Sequence, residues 1–598
     1  MPKTPQSEAK DSSFGVYHGA QHADVKPFDL STEKCPEDAL VWNFILPVVP
    51  PQTIGLTPNS ADGHERFNVR QLVSAMQDGA ELEDVQQYIC RFDDVTVRKH
   101  INDEVEGFPA MFYAVETNKE SMLRLWVLHG GDVSVVHRPT KLPLLAFAIM
   151  HDETIRADTA LITAALLNLG ASPAPIPSAF YSPYLQDVPD GGPSNDSLKD
   201  LTSDQRAWCT DAARGKLART CSLSQRYYLE RAAKTGKPSI RQYQVAKLNK
   251  AEPLLGIANS LIGQNIATKV LLDTLLAHLT VHSKKPLVLV FAGPSGHGKT
   301  ELARRLGYLL SLELEVVDCT NYKRDDELFG PRSPYSGAKE GSRLNNFLAK
   351  HHEQRCIVFL DEFEKTTPEV HKTMLLPFDN GESEEHIIPA ALADNDQGAY
   401  FDRRNRDEIN CWKTVWILAT NAHDSIIQEF SATNKGVLSE DDQNGTKVVL
   451  KRLSIQLRED FQSHHGAPIT GRISAFIPFL PFNVGEQAVI VHKALLELGR
   501  NVRQPVKLSG GPDEKVLGNV WLRVRRDASV CRVLAESEYH ADLGARSLNT
   551  AVEQIKQLLV AEYLQVDEEI TEVGRMSECT IDLSGAHVVV NLRPSNIR

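Results

Sequence analysis

The chain is 598 residues long, room for roughly three to five domains, and 42% of its residues are hydrophobic, enough for filled cores. It carries 65 Lys and Arg against 78 Asp and Glu, a net charge of −13, which speaks against the basic stripe of a nucleic-acid binder. Nine cysteines show no C-x-x-C spacing and several fall in apolar runs, so they read as reduced, buried thiols of a cytosolic-type compartment.

The first residues, Met1 to Asp11, have no apolar core and carry acids early, unlike a secretory signal or a mitochondrial presequence. No apolar run approaches the ~18 residues of a membrane span. A cytoplasmic location and no membrane partner are therefore expected. Residues 1–60 are rich in Pro, Asp and Ser and are expected to form a loosely ordered tail.

Two similar units follow. Pro109-Ala110-Met111-Phe112-Tyr113-Ala114 and Pro143-Leu144-Leu145-Ala146-Phe147-Ala148 lie 34 residues apart, near the ankyrin period of about 33. Each resembles the ankyrin T-P-L-H-x-A turn, with Pro at the Thr position and no His. Each leads to a second-helix ending, Gly130-Gly131-Asp132 and then Gly170-Ala171-Ser172, and Gly79-Ala80-Glu81 looks like a degenerate earlier copy. The resemblance implies an all-α ankyrin-like domain over 61–180, its stack interrupted by insertions; an unrelated small helical domain is the alternative. Residues 181–250 begin with Pro, Gly, Ser and Asp, then turn helical and basic from Arg219 to Lys250, which reads as a linker with connecting helices.

The centre of the chain carries the chemistry. Leu287-Val288-Leu289-Val290-Phe291-Ala292 is an apolar strand running into Gly293-Pro294-Ser295-Gly296-His297-Gly298-Lys299-Thr300, a complete G-x-x-x-x-G-K-[ST] loop, and then into a helix from Glu301. That strand–loop–helix context is what the phosphate-binding reading requires, against a chance glycine-rich turn. Successive N–H groups of the loop converge on phosphate oxygens, Lys299 reaches the β and γ phosphates, and the Thr300 hydroxyl holds Mg²⁺. A second apolar run, Cys356 to Leu360, ends in Asp361-Glu362. By itself this is an ordinary strand end; downstream of a phosphate loop it places Asp361 beside the metal and Glu362 where it can polarise a water. Leu314–Asp318, Thr414–Asn421 and Ala475–Phe479 read as three further strands of one parallel sheet. Asn421, at a strand end, is placed to orient water or read the γ-phosphate, or else is a plain turn residue.

From about Leu254 onward these motifs, in this order, resemble one Clp-type AAA+ module, the second ATPase domain of ClpB disaggregases. The resemblance implies an α/β AAA+ domain over 251–482 (parallel sheet with flanking helices) and a C-terminal α/β lid over 483–598. It places Ile262, in Ile262-Gly263-Gln264, at the adenine. It implies that Asn421 is a first sensor. Arg472, in Gly471-Arg472-Ile473-Ser474, would be an arginine finger acting on the neighbouring subunit's nucleotide. Arg546, in Gly544-Ala545-Arg546, would be a second sensor. The block from Asp361 through Glu364-Lys365 to Phe378-Asp379-Asn380-Gly381 also matches the family. The pore-loop position reads Pro334-Tyr335-Ser336-Gly337: Tyr335 and Gly337 keep the aromatic and the turn of a polypeptide-gripping loop, while Ser336 stands where an aliphatic residue is usual.

The expectation is an ATP hydrolase using ATP and Mg²⁺. It would self-associate into a ring, read here as a homo-hexamer, and thread misfolded or specific client proteins. The ankyrin-like units ahead of a single module also resemble an ankyrin-containing mitochondrial ClpB homologue, which leaves a mitochondrial location open. Two other readings stay open: an ankyrin scaffold whose ATPase is a slow conformational switch, and a nucleic-acid-directed AAA+ motor.

Overall fold

The computed structural model describes residues 45–50, 66–194, 198, 206–281, 285–331, 335, 339–379, 399–405, 407–434, 436, 443–508, 510–511, 514–567, 569–571 and 576–593. Most of the expected tail lies outside these residues, as do Pro334, Ser336 and Gly337. The chain forms two compact units: 237–487 with 538–550, and 1–236 with 488–537 and 551–598.

The first unit is built on five parallel strands: β1 Leu287–Ala292, β2 Leu314–Asp318, β3 Cys356–Asp361, β4 Thr414–Thr420 and β5 Ala475–Pro478. They lie in the order β5-β1-β4-β3-β2. Their continuous apolar runs follow from burial on both faces. Val288, Val290, Val358, Leu360, Trp416 and Leu418 enter one core cluster, and Leu287, Leu289, Phe291, Ile357, Phe359 and Ile417 enter the other. Helix Lys299–Leu310 covers the second face with Leu302, Ala303, Leu306 and Leu309. Leu418 of β4 pairs with Val290 on one side and Leu360 on the other. This register brings the carboxyl ends of β1, β4 and β3 level, which is where the phosphate loop, Asn421 and Asp361-Glu362 begin.

In the second unit, two short hairpins each lead into packed helices. Glu104–Val105 with Phe108–Pro109 precedes helices Ala110–Glu116 and Glu120–Leu128. Val136–His137 with Leu142–Pro143 precedes Leu144–Met150 and Ala160–Asn168. A further short helix, Asp152–Ile155, lies between the last two of these. The same unit holds a sheet of β6 Val520–Val524, β7 Ser577–Ser584 and β8 His587–Arg593, with β6 parallel to β7 and β7 antiparallel to β8.

Two expected boundaries differ from what the contacts draw. Residues 181–250 were expected as a linker with connecting helices; helix Leu223–Lys234 lies there and buries Leu223, Arg226, Tyr227 and Leu229, and Trp208 is fully buried. Arg226 Nη2 pairs with Asp527 Oδ1 at 2.6 Å, and Ser224 Oγ lies 2.7 Å from His492 Nδ1. Residues 483–598 were expected as one lid; instead 488–537 and 551–598 share a core with the N-terminal helices, while 538–550 belongs with the sheet unit. The physical reason is that helix 223–234 offers buried faces whose partners lie some three hundred residues along the chain.

Candidate functional site

The phosphate loop curls at glycine for steric reasons. A Cβ on Gly296, at φ +72°, would lie 2.1 Å from the Leu543 carbonyl, and one on Gly293 would lie 2.5 Å from that of Phe479. Lys299 is buried, and its Nζ donates to Asn421 Oδ1 at 2.6 Å, to the Pro294 carbonyl at 3.0 Å, and to the Gly293 carbonyl. Asn421 Nδ2 in turn donates to Glu362 Oε1 at 3.1 Å. Lysine, asparagine and glutamate thus form one bonded line across the ends of β1, β4 and β3. Glu362 sits in the left-handed region at φ +53°, which turns the chain sharply after β3.

Burial pushes the Lys299 ammonium below its ordinary range, while the carboxyls of Asp424, Asp361, Glu364 and Glu362 pull it back. The acids respond in the opposite sense. Burial raises Asp361, against the lowering effect of the Glu362 N–H bonded to it, and the Glu362 carboxylate raises it further. Burial also pushes Asp424 up to about 6, against the pull of Lys299. Four carboxyl groups around one lysine are an excess of negative charge that a divalent cation would relieve, so the donor set fits Mg²⁺ at Asp361 and the half-buried Thr300. Among the described residues no three His, Cys, Asp or Glu side chains form a protein-only metal cluster.

Residues 538–550 close over the loop. Arg546 Nη1 donates to Ser295 Oγ at 3.0 Å, and the Ala545 N–H donates to the Gly296 carbonyl at 3.0 Å. His297 is fully buried: its Nδ1 lies 2.8 Å from the Ser295 carbonyl and its ring stacks on Phe482 at 4.8 Å. Burial holds His297 below the usual imidazole range, so it is neutral. Ile262 is buried beside Gly263, where a Cβ would strike Phe482, and Gln264 pins the Leu480 backbone with both ends of its amide.

The structure therefore brings together Lys299, Asn421 and Glu362 directly, and Arg546 through Ser295. Arg472 is bonded elsewhere, to the Pro468 carbonyl at 2.8 Å and to Asp379 at 2.6 Å. Tyr335 is 72% exposed. Sequence reasoning gave no role to Glu364, whose Oε1 accepts the Asn421 N–H at 3.3 Å, or to Asp424. The available signal for Asp424 was an acid opening a helix just after the Asn421 strand end.

Residues 284–464 match the model of the AAA domain, Cdc48 subfamily. Among curated relatives, the chaperone protein ClpB of Chlamydia caviae is 27% identical over 318 residues, covering 51% of this chain and 32% of that protein. The mitochondrial chaperone protein ClpB4 of Arabidopsis thaliana is 25% identical over 361 residues, 57% of this chain and 33% of its own length. The chain thus spans about a third of the length of these relatives. A closed-state Hsp104 reconstruction with ATPγS and FITC casein is 17% identical with a TM-score of 0.40, covering 87% of this chain and 85% of that one. Residues 284–464 are thus similar to an AAA domain, and the chain is similar over about half its length to ClpB.

Proposed function

We propose that the chain is one subunit of an ATP-driven protein-remodelling ring, an unfoldase or disaggregase. The observation that supports this is the bonded line of Lys299, Asn421 and Glu362 across three strand ends, which in this reading serve as phosphate-binding cation, polar sensor and base. In this reading the loop from Gly293 to Thr300 cradles the phosphates, Thr300 and Asp361 hold Mg²⁺, and Ile262 lies against the adenine. Glu362 takes the proton of the attacking water as its oxygen approaches the γ-phosphate. Arg546, already bonded to the loop, reports the phosphate state to the segment that carries it.

Arg472 makes its bonds away from its own chain's Lys299, which supports action on a neighbour's nucleotide and hence a ring. Such a finger in trans is worth about 10³–10⁵ in rate. The exposure of Tyr335 suits a pore loop that, with Gly337, grips extended polypeptide. The paired hairpin-and-helix units support an ankyrin-like client or assembly domain, because repeat surfaces are built for protein contact. The curated relatives are chaperones by name, which favours protein over nucleic acid as the substrate.

The test is ATP-dependent solubilisation of a heat-aggregated reporter by the purified full chain. Turnover of ATP that neither solubilises the reporter nor rises with unfolded protein would put the slow-switch scaffold ahead.

A further inference from the structure

Arg472 is 22% exposed and follows the short helix Ala467–Thr470. Its Nη1 donates to the Pro468 carbonyl of that turn at 2.8 Å, and its Nη2 pairs with Asp379 Oδ2 at 2.6 Å. Its Nε is buried with no hydrogen bond among the described residues. Two acceptors on different elements hold the plane of the guanidinium, which a single bond to a rotatable side chain would not. Of the five N–H groups of the fork, these bonds leave one on each terminal nitrogen for another anion, the Nε–H being buried.

Asp379 is the C-terminal cap of helix Pro368–Phe378. That helix begins shortly after Glu362, with Thr367 as its N-cap. Val370, Met374 and Phe378 anchor it in the core, and Phe378 lies edge-on to Trp416 of β4 at 5.2 Å. At 1.5 Å per residue it is a strut about 16 Å long, with the Glu362 turn at one end and Asp379 at the other.

We propose that Asp379 is a positioning residue that aims Arg472, so that the helix behind one subunit's Glu362 governs hydrolysis of the neighbouring subunit's ATP. The proposal rests on the reading of Arg472 as a finger in trans. Aiming acts on the transition state: an arginine already oriented loses little freedom when charge develops on the γ-phosphate, and a misplacement of about 1 Å can cost ~10² in rate.

The experiment measures steady-state ATP turnover of the full chain for wild type, Asp379→Asn, Asp379→Glu, Arg472→Ala and the double variant Asp379→Asn/Arg472→Ala. Asp379→Asn is expected to lower kcat about tenfold or more with KM for ATP unchanged, Asp379→Glu to fall between it and wild type, and the double variant to be no slower than Arg472→Ala alone. An unchanged kcat for Asp379→Asn, a rise in kcat (restraint instead of aim), or an equal further loss on the Arg472→Ala background would each overturn the proposal. Normal turnover by Arg472→Ala would instead remove the finger reading itself. Should Asp379→Asn melt below the assay temperature, Asp379→Glu carries the same comparison: lower kcat, unaltered KM, and no effect over Arg472→Ala.

Discussion

Replacing Glu362 by Gln keeps the size of the side chain and leaves Oε1 able to accept the Asn421 amide now 3.1 Å away. The line from Asn421 to Lys299 therefore stands, and the phosphate loop is untouched. What disappears is the carboxylate, and with it the base for the attacking water. General-base assistance contributes about 10²–10⁴-fold, or about 3–5 kcal/mol of barrier. Binding should respond in the other direction. Glu362 is one of the charges that raise Asp361 and Asp424, so the variant lowers the negative crowding that an anionic nucleotide meets. Glu362→Gln is expected to bind ATP at least as tightly as wild type while phosphate release falls by two to four orders of magnitude, about the general-base contribution. Equilibrium titration with a labelled nucleotide and a phosphate-release assay read the two quantities separately. Near-normal turnover would take the base role away from Glu362; loss of binding would mean that its charge instead holds the loop together.

Arg226→Ala leaves the Asp527 carboxylate buried without its guanidinium, with His492 at 3.7 Å and the Leu223 N–H beside it among the described residues. Removing one partner of a buried pair costs about 3–5 kcal/mol; urea unfolding should show that loss, and a change under 1 kcal/mol would refute the assigned burial. Glu116 is pushed by burial from 4.5 up to about 7, against its bonds to Gln77 and the Leu46 backbone. The folded state therefore holds this proton more tightly than the unfolded chain, so its contribution is full below about pH 4.5 and is lost as pH rises through about 7. Glu116→Gln should flatten that fall and stabilise the protein at pH 8 by up to about 3 kcal/mol, read as a melting temperature that no longer drops between pH 5 and pH 8. Tyr335→Ala should leave ATP turnover within a few-fold while reporter reactivation collapses, and Tyr335→Phe should preserve both, since an aromatic contact of about 1.5–3 kcal/mol needs ring area and not the hydroxyl. Full reactivation by Tyr335→Ala would exclude threading by that loop.

Much of the sheet unit was legible in the sequence because its signals are local. A strand buried on both faces must be apolar at every position, so Leu287–Ala292 and Cys356–Asp361 announce themselves without knowledge of their neighbours. The phosphate loop is likewise legible, because its glycines answer a backbone requirement within eight residues. The Pro109 and Pro143 segments each lie in a short hairpin that leads into helices.

Pairing over long sequence distance was decided only by the tertiary structure. An amphipathic helix such as Leu223–Lys234 says that something covers it, not that the cover includes Asp527. The composition of 181–250 therefore read as a linker with connecting helices, without saying what those helices pack against. Charge is equally silent about its partner: Arg472 could have met a phosphate, solvent or any of many acids, and the fold assigns it Asp379, 93 residues away. Residues 538–550 part from their sequence neighbours for the same reason. The Gly296 and Ala545 backbones fit each other closely enough to exclude a side chain at Gly296, a complementarity that exists only once both segments are folded.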